Sequence, residues 1–283
     1  MKGLLVFGRT GQVAQGLARL APGAVFLDRA AADLTDPAAC AAAIAAHAPR
    51  AVINAAAWTA VDRAETEEAA ATVVNAEAPA AMARACAALD IPFVQISTDY
   101  VFDGAGEAPF APGAPLAPLG AYGRSKAAGE AGVRAAGGPH AILRTSWVFS
   151  PQGANFVTTM LRLSESRDRL AVVADQRGGP TPASAIAAAC LAIAEALRAD
   201  AGKSGTYHFA GTPDVSWAEF ARAIFAIAGR AITVEEIPSS AYPTPARRPQ
   251  NSRLDCRTTE TTFGIPRPGW QAALRGMLTP PGA

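Results

Sequence analysis

The sequence predicts an α/β fold, a doubly wound parallel sheet with a smaller C-terminal lobe, and three observations carry that reading. Short aliphatic runs alternate with alanine-rich helical stretches through residues 1–150. A glycine turn, Gly8-Arg9-Thr10-Gly11, joins the first strand to the first helix. A tyrosine and a lysine four residues apart, Tyr122 and Lys126, open a later helix.

The elements follow in order. Leu4–Gly8 reads as a strand, Gln12–Leu20 as a helix and Ala24–Asp28 as a strand. Ala38–Ala46 reads as a helix, Ala51–Ala55 as a strand, Glu65–Leu89 as one long helix and Phe93–Thr98 as a strand. Tyr122–Ala135 is then a helix and Ala141–Ser146 a strand. Strands that are apolar on both faces need a sheet covered on both sides. Right-handed crossovers then put a ligand crevice at the strand C-termini. Asp103–Gly120, rich in Pro, Gly and Ala, reads as a surface loop or as a flap at the mouth of that crevice. Beyond Ser150, helices over Asn155–Arg167, Ala183–Arg198 and Ser216–Ala228 are separated by short strands at Ala171–Ala174, Thr206–Phe209 and Ile232–Ile237.

Composition narrows the function classes. The chain has 283 residues, 50% of them apolar, with alanine making up most of the excess. Alanine buries little area, so the helices depend on propensity and close approach. The net charge of +1 gives no electrostatic reason to expect nucleic acid or an anionic membrane. Cys40, Cys86, Cys190 and Cys256 form no CxxC pair, and His47, His140 and His208 have no metal-ligand spacing. The first strand runs straight into the glycine turn and is too short for a secretory h-region. No uncharged apolar run reaches the roughly 18–20 residues of a membrane helix, since Ala185–Ala194 is cut off by Glu195. A cytoplasmic protein is the expectation, with no nucleic-acid or membrane partner.

The turn Gly8-Arg9-Thr10-Gly11-Gln12-Val13-Ala14 lies between a strand and a helix, the Rossmann-like setting for a dinucleotide. Its glycines let the backbone approach a pyrophosphate at the helix N-terminus. Ala14 stands where a third glycine is usual. Asp28, about 20 residues on, suits an adenosine ribose and favours NADH, whereas Arg29 beside it suits the 2′-phosphate of NADPH. The cofactor choice stays open between the two. Asp33 and Leu34 flank the adenine end, or Asp33 or Asp36 is a helix cap. Ala55, Ala56 and Ala57 give small strand tips for a dinucleotide to cross. Residues 1–150 therefore read as an NAD(P)-binding Rossmann domain, and 151–283 as a smaller substrate-binding lobe partly interleaved with the sheet.

Tyr122 and Lys126 lie on one helix face, about 6 Å apart along the axis. An ammonium there favours a phenolate and lowers the phenol's pKa from its usual value near 10. Thr98, at the end of the fourth strand, offers a hydroxyl to a substrate carbonyl beside Tyr122, or else caps a turn. Coupled to a nucleotide turn, these residues point to proton transfer accompanying hydride transfer.

With these residues in place, the chain resembles the extended short-chain dehydrogenase/reductase family, and within it the group acting on 4-keto dTDP-sugars. The resemblance is carried by GRTGQV (8–13), NAAAWTAVDRAE (54–65), STDYVFDG (97–104), YGRSK (122–126), RTSWVF (144–149), NFVTTMLRL (155–163), DQRGGPT (175–181) and YPTPARRPQNSRLD (242–255). Trp58 replaces a common histidine, and Arg177 a common aromatic. The resemblance implies NAD(P)H-dependent reduction of the C4 ketone of dTDP-4-dehydro-6-deoxy-L-mannose to dTDP-L-rhamnose. Thr98, Tyr122 and Lys126 are then catalytic, with Tyr122 and Lys126 also touching the cofactor beside Gly8, Thr10, Gly11, Gln12 and Val13. Thr98, Asp99, Tyr100, Trp147, Asn155 and Arg248 contact the dTDP-sugar, with Gln176 and Arg253 as further candidates. Some relatives are linked to magnesium at a dimer contact. Gly16 and Ser184 stand at the matching places, so no metal requirement is expected, for a monomer or homodimer. The alternatives are another nucleotide-sugar epimerase or dehydratase of the same family, and a non-catalytic NADP-binding regulatory subunit.

Overall fold

Parallel pairing of strands far apart in sequence frames the protein, in a computed structural model that describes residues 3–279. In chain order the first half comprises β1 (Leu4–Phe7), α1 (Gln12–Leu20), β2 (Val25–Leu27), α2 (Pro37–His47), β3 (Ala51–Asn54), α3 (Val61–Ala64), α4 (Glu68–Thr72), a π-helical turn (Val73–Glu77), α5 (Ala78–Ala88), β4 (Phe93–Thr98), α6 (Ala121–Ala135) and β5 (His140–Thr145). Then follow β6 (Val148–Phe149), α7 (Phe156–Leu163), β7 (Arg169–Val173), β8 (Arg177–Gly178), β9 (Thr181–Pro182), α8 (Ala183–Ala199) and β10 (Gly205–His208). The chain closes with β11 (Val215–Ser216), α9 (Trp217–Ile227), β12 (Thr233–Ile237), β13 (Asn251–Ser252), α10 (Arg257–Phe263) and α11 (Trp270–Leu278).

The main sheet has the order β10–β5–β4–β3–β1–β2, and every pair is parallel. This is the Rossmann-like, doubly wound arrangement, and the strand order reverses between β1 and β3. The pleat sorts the strand residues into two cores. Leu4, Val6, Ile53, Val94 and Leu143 meet α1 and α8, while Leu5, Phe7, Val52, Phe93 and Ile142 meet α2, α5 and α6. A third core joins Phe149, Val157, Leu170 and Val172 to Phe220, Ile224, Trp270 and Leu274. Strand β10 and helix α8, both beyond residue 150, belong to the main sheet and its covering layer.

The long helix expected over Glu65–Leu89 is not continuous. Glu65 lies outside it, because its carboxylate accepts the Ala121 N–H (2.9 Å) at the start of α6. The helix begins at Glu68, and a π-helical turn interrupts it at Val73–Glu77. That turn buries Asn75, whose amide accepts the Trp58 N–H (2.9 Å) and donates to the Trp58 carbonyl and the Ser125 hydroxyl. One polar side chain, presented by the π-helical turn, thus ties the loop after β3 to α6.

The Asp103–Gly120 segment is a loop anchored away from the crevice, not a flap over it. Phe110 stacks on Phe102 and bridges to Leu254, and the Pro112 carbonyl accepts from buried Arg144 (2.9 Å). Its apolar residues Phe110, Ala114 and Leu116 fill a small core with Val101 and Phe102.

Helix α6 approaches its neighbours through glycine. A methyl group on Gly129 would be driven into the Asn75 carbonyl, which a backbone cannot readily yield. Gly129→Ala is therefore expected to destabilise the protein by about 1–3 kcal/mol. Urea unfolding checks this: the midpoint should fall with little change in slope.

Candidate active site

The crevice opens where the strand order reverses. It has a volume of about 720 Å³ and runs from Gly8–Val13, past Asn54–Ala57, to Thr98, Tyr122 and Lys126. Gly8 has φ +101°, and a Cβ there would lie 3.2 Å from the Ala55 carbonyl carbon. Glycine is thus required both by the backbone conformation and by the close approach of two strand tips. The first turn of α1 follows Gly11 with no side-chain cap, leaving its N–H groups for an anion. Buried Asn54 fixes the neighbouring tip by donating to Gln95 (2.9 Å) and accepting from the Ala56 N–H (3.1 Å). These features fit a dinucleotide.

At the far end of the turn, Asp28 accepts from the N–H groups of Ala30 and Ala31, both at 3.1 Å. The Arg9 guanidinium stands 3.7 Å from its other oxygen. Arg29, the candidate 2′-phosphate partner, pairs with Asp33 at 3.0 Å. The Thr35 N–H and Arg29 together hold the Asp33 carboxyl below its usual range. Asp36, not Asp33, caps the next helix. Asp28, Asp33 and Leu34 all line the crevice.

The reacting end is assembled from β4 and α6. Thr98 donates to Asp99 (3.0 Å) and accepts the Tyr100 N–H (3.2 Å). Tyr100 meets the Tyr122 ring edge to face at 5.5 Å. A methyl on Gly123 would strike the Tyr100 carbonyl, so glycine lets α6 bring Tyr122 against this loop. The Lys126 ammonium is buried and donates to the Ile96 carbonyl (2.7 Å). Burial pushes its pKa down to about 8, against the opposing charge of Glu130.

The phenol differs from expectation. Burial pushes the Tyr122 pKa up, not down, with the Thr98 hydroxyl only partly opposing it and Asp99 adding to it. Lys126 directs its ammonium at a β4 carbonyl, and desolvation sets the direction of the phenol's shift. The phenol therefore holds its proton at neutral pH. Burial also raises Asp99, to about 6, against hydrogen bonding from Ser252 and Thr98. Its Oδ2 is buried and has no hydrogen-bond partner among the described residues.

Asp99, Tyr100 and Trp147 line the same crevice. Asn155 and Arg248 do not. The Asn155 amide caps α7 and donates to Gln12 (3.1 Å) and to the Ser150 carbonyl (2.8 Å), so it braces the nucleotide turn. Arg248 makes a two-pronged pair with Asp62, at 3.1 and 2.9 Å. Gln176 accepts from Trp217, and Arg253 folds back onto Asn251. Thr145, Ser146, Val148, Gly153 and Ala154 also line the crevice and were not singled out from sequence. Thr145 and Ser146 lie within the quoted RTSWVF run, which was the available signal.

Gly16 faces Ala187 and Ser184 across the α1–α8 contact within one chain. Among the described residues no group of three His, Cys, Asp or Glu side chains could hold a metal ion. None of their helices is long and apolar enough to cross a membrane.

Comparison with known proteins gives concordant results. A family model described as the RmlD substrate binding domain matches residues 1–281. A dTDP-4-dehydrorhamnose reductase of Sinorhizobium fredii is 44% identical, over 97% of this chain and 96% of its own length. The crystal structure of a dTDP-4-dehydrorhamnose reductase from Clostridium acetobutylicum superposes with a TM-score of 0.91 at 34% identity, covering 98% of both chains. That of the Bacillus anthracis reductase, in complex with NADP, gives a TM-score of 0.89 at 32% identity, over 97% of this chain and 98% of that one.

Proposed function

We propose a function that proceeds from one fact: the chain belongs to the RmlD substrate binding domain family. It is an NAD(P)H-dependent oxidoreductase that reduces the C4 ketone of dTDP-4-dehydro-6-deoxy-L-mannose to dTDP-L-rhamnose. The observation that carries the residue assignments is the convergence of Thr98, Tyr122 and Lys126 on one crevice whose other end is the Gly8–Val13 turn.

Gly8, Thr10, Gly11, Gln12 and Val13 hold the pyrophosphate of the dinucleotide, Asp28, Asp33 and Leu34 its adenosine end, and Ala55, Ala56 and Ala57 the stretch between. When bound, NADH or NADPH supplies the hydride. The Thr98 hydroxyl, turned from Asp99 to the C4 carbonyl oxygen, donates to it and fixes its position relative to the phenol. Tyr122, kept protonated by burial, gives its proton to that oxygen as negative charge develops there. The resulting phenolate is stabilised by the Lys126 ammonium on the same helix face. Asp99, Tyr100 and Trp147 contact the deoxysugar. The protein works in the cytoplasm as a monomer or homodimer.

The assay is loss of NAD(P)H absorbance with the 4-keto dTDP-sugar. Tyr122→Phe should lower kcat by at least about 10²-fold, the low end of a general-acid contribution. Undiminished turnover would remove Tyr122 from the mechanism, and an epimerase would consume no NAD(P)H. For wild type, kcat/KM should fall as pH rises through about 8, because Lys126 loses its proton there while Tyr122 keeps its own. A profile flat to pH 10 would show that the ammonium is not needed.

A further inference from the structure

We propose that Trp217 is a positioning residue for the sugar end of the crevice, holding the Trp147 indole in the place that the deoxysugar meets. This rests on the reading of Trp147 as a sugar contact. Trp147 lines the crevice, yet its backbone has φ +50°, a left-handed conformation that a bulky residue does not adopt unaided. Its indole stacks on that of Trp217, with centroids 3.5 Å apart and planes 9° from parallel. On its Nε1 edge it fills space that Gly178 leaves empty: a Cβ on Gly178 would lie 2.8 Å from Trp147 Cε2. Trp217 itself does not line the crevice.

Trp217 is well placed to act as a template because its own position is fixed. Its indole N–H donates to buried Gln176 (3.1 Å), and the Phe156 ring lies 4.5 Å away. It is the first residue of α9, whose Ser216 and Glu219 form a reciprocal cap. The stack therefore transmits the position of α9 to the crevice wall. A sugar ring packs its C–H face against an aromatic surface, a contact sensitive to small displacements of the indole. The stack, the space beside Gly178 and the Thr181 N–H bond to the Trp147 carbonyl (3.0 Å) hold Trp147 in this backbone conformation, and of the three only the stack fixes the face of the indole.

The test compares Trp217→Leu, which keeps apolar bulk without an aromatic face, with Trp217→Phe, Trp147→Ala and the Trp147→Ala/Trp217→Leu double variant. Titration of the NADP-loaded protein with dTDP-L-rhamnose gives sugar affinity, and separate titration gives NADP affinity. Trp217→Leu should weaken dTDP-L-rhamnose binding about tenfold, with NADP affinity within about twofold of wild type. Trp217→Phe should recover most of the loss, and the double variant should bind no more weakly than Trp147→Ala alone. Losses that add in the double variant, or wild-type sugar affinity in Trp217→Leu, would overturn the positioning role. Wild-type sugar affinity in Trp147→Ala would instead overturn the reading of Trp147 on which it rests.

Discussion

The buried pair between Glu130 on α6 and Arg144 on β5 is the interaction on which the site depends. Two N–H groups of Arg144 reach the carboxylate at 2.8 and 2.6 Å, and the Ser97 hydroxyl adds a third bond at 2.7 Å. Burial alone would push the Glu130 carboxyl up, but these bonds and the arginine charge hold it below its usual range. The remaining guanidinium nitrogen is also engaged. It donates to the Pro112 carbonyl, lies 3.2 Å from His208 Nε2 and covers the Phe102 ring. Since arginine only donates, Nε2 is the acceptor, and burial together with the Arg144 charge pushes the His208 pKa down to about 3. Two charges taken out of water cost several kcal/mol each unless they are paired and hydrogen-bonded, and here every guanidinium nitrogen and both carboxylate oxygens are engaged.

The consequence is positional. Lys126 lies one turn before Glu130, and Tyr122 one turn before that. Fixing Glu130 to the sheet therefore fixes the rotation of α6 that turns both groups toward the crevice. The Glu130 charge also opposes the desolvation of Lys126 and so favours its ammonium form. The same arginine holds down the Asp103–Gly120 loop, so the sheet, the helix and the loop form one unit. Small residues complete it: glycines at 123, 129 and 132 bring α6 against the Tyr100 loop, the π-helical turn and α5. The alanine-rich composition is the bulk counterpart of these close approaches.

Much of this was legible because it depends on local periodicity. Apolar strands with alternating destinations, the Gly8 turn and the spacing of Tyr122 and Lys126 each follow from short-range geometry. The interruption at Val73–Glu77 was not legible, because it arises from the partners of Asn75 at Trp58 and Ser125, both distant in sequence. The two-residue strands β6, β8, β9, β11 and β13 are too short to show a period. Helix α10, with four threonines in RTTETTF, runs against helix propensity and is held by packing and by the Thr259 bond to the His208 carbonyl. The direction of the Tyr122 shift was missed for a related reason. Sequence spacing places Lys126 one turn from Tyr122, but the desolvation that sets the direction of the shift belongs to the folded crevice. Asn155 and Arg248 carry suitable chemistry for a ligand, yet folding gives them protein partners in Gln12 and Asp62.

The claim that α6 is locked to the sheet is tested most directly by native-state amide hydrogen exchange of the wild-type protein. If the Glu130–Arg144 pair fixes the helix, the hydrogen-bonded amides in the body of Ala121–Ala135 exchange only through global unfolding, with the same free energy and denaturant dependence as those of β4 and β5. Opening of α6 in a separate, lower-energy step while the strands stay protected would contradict the account.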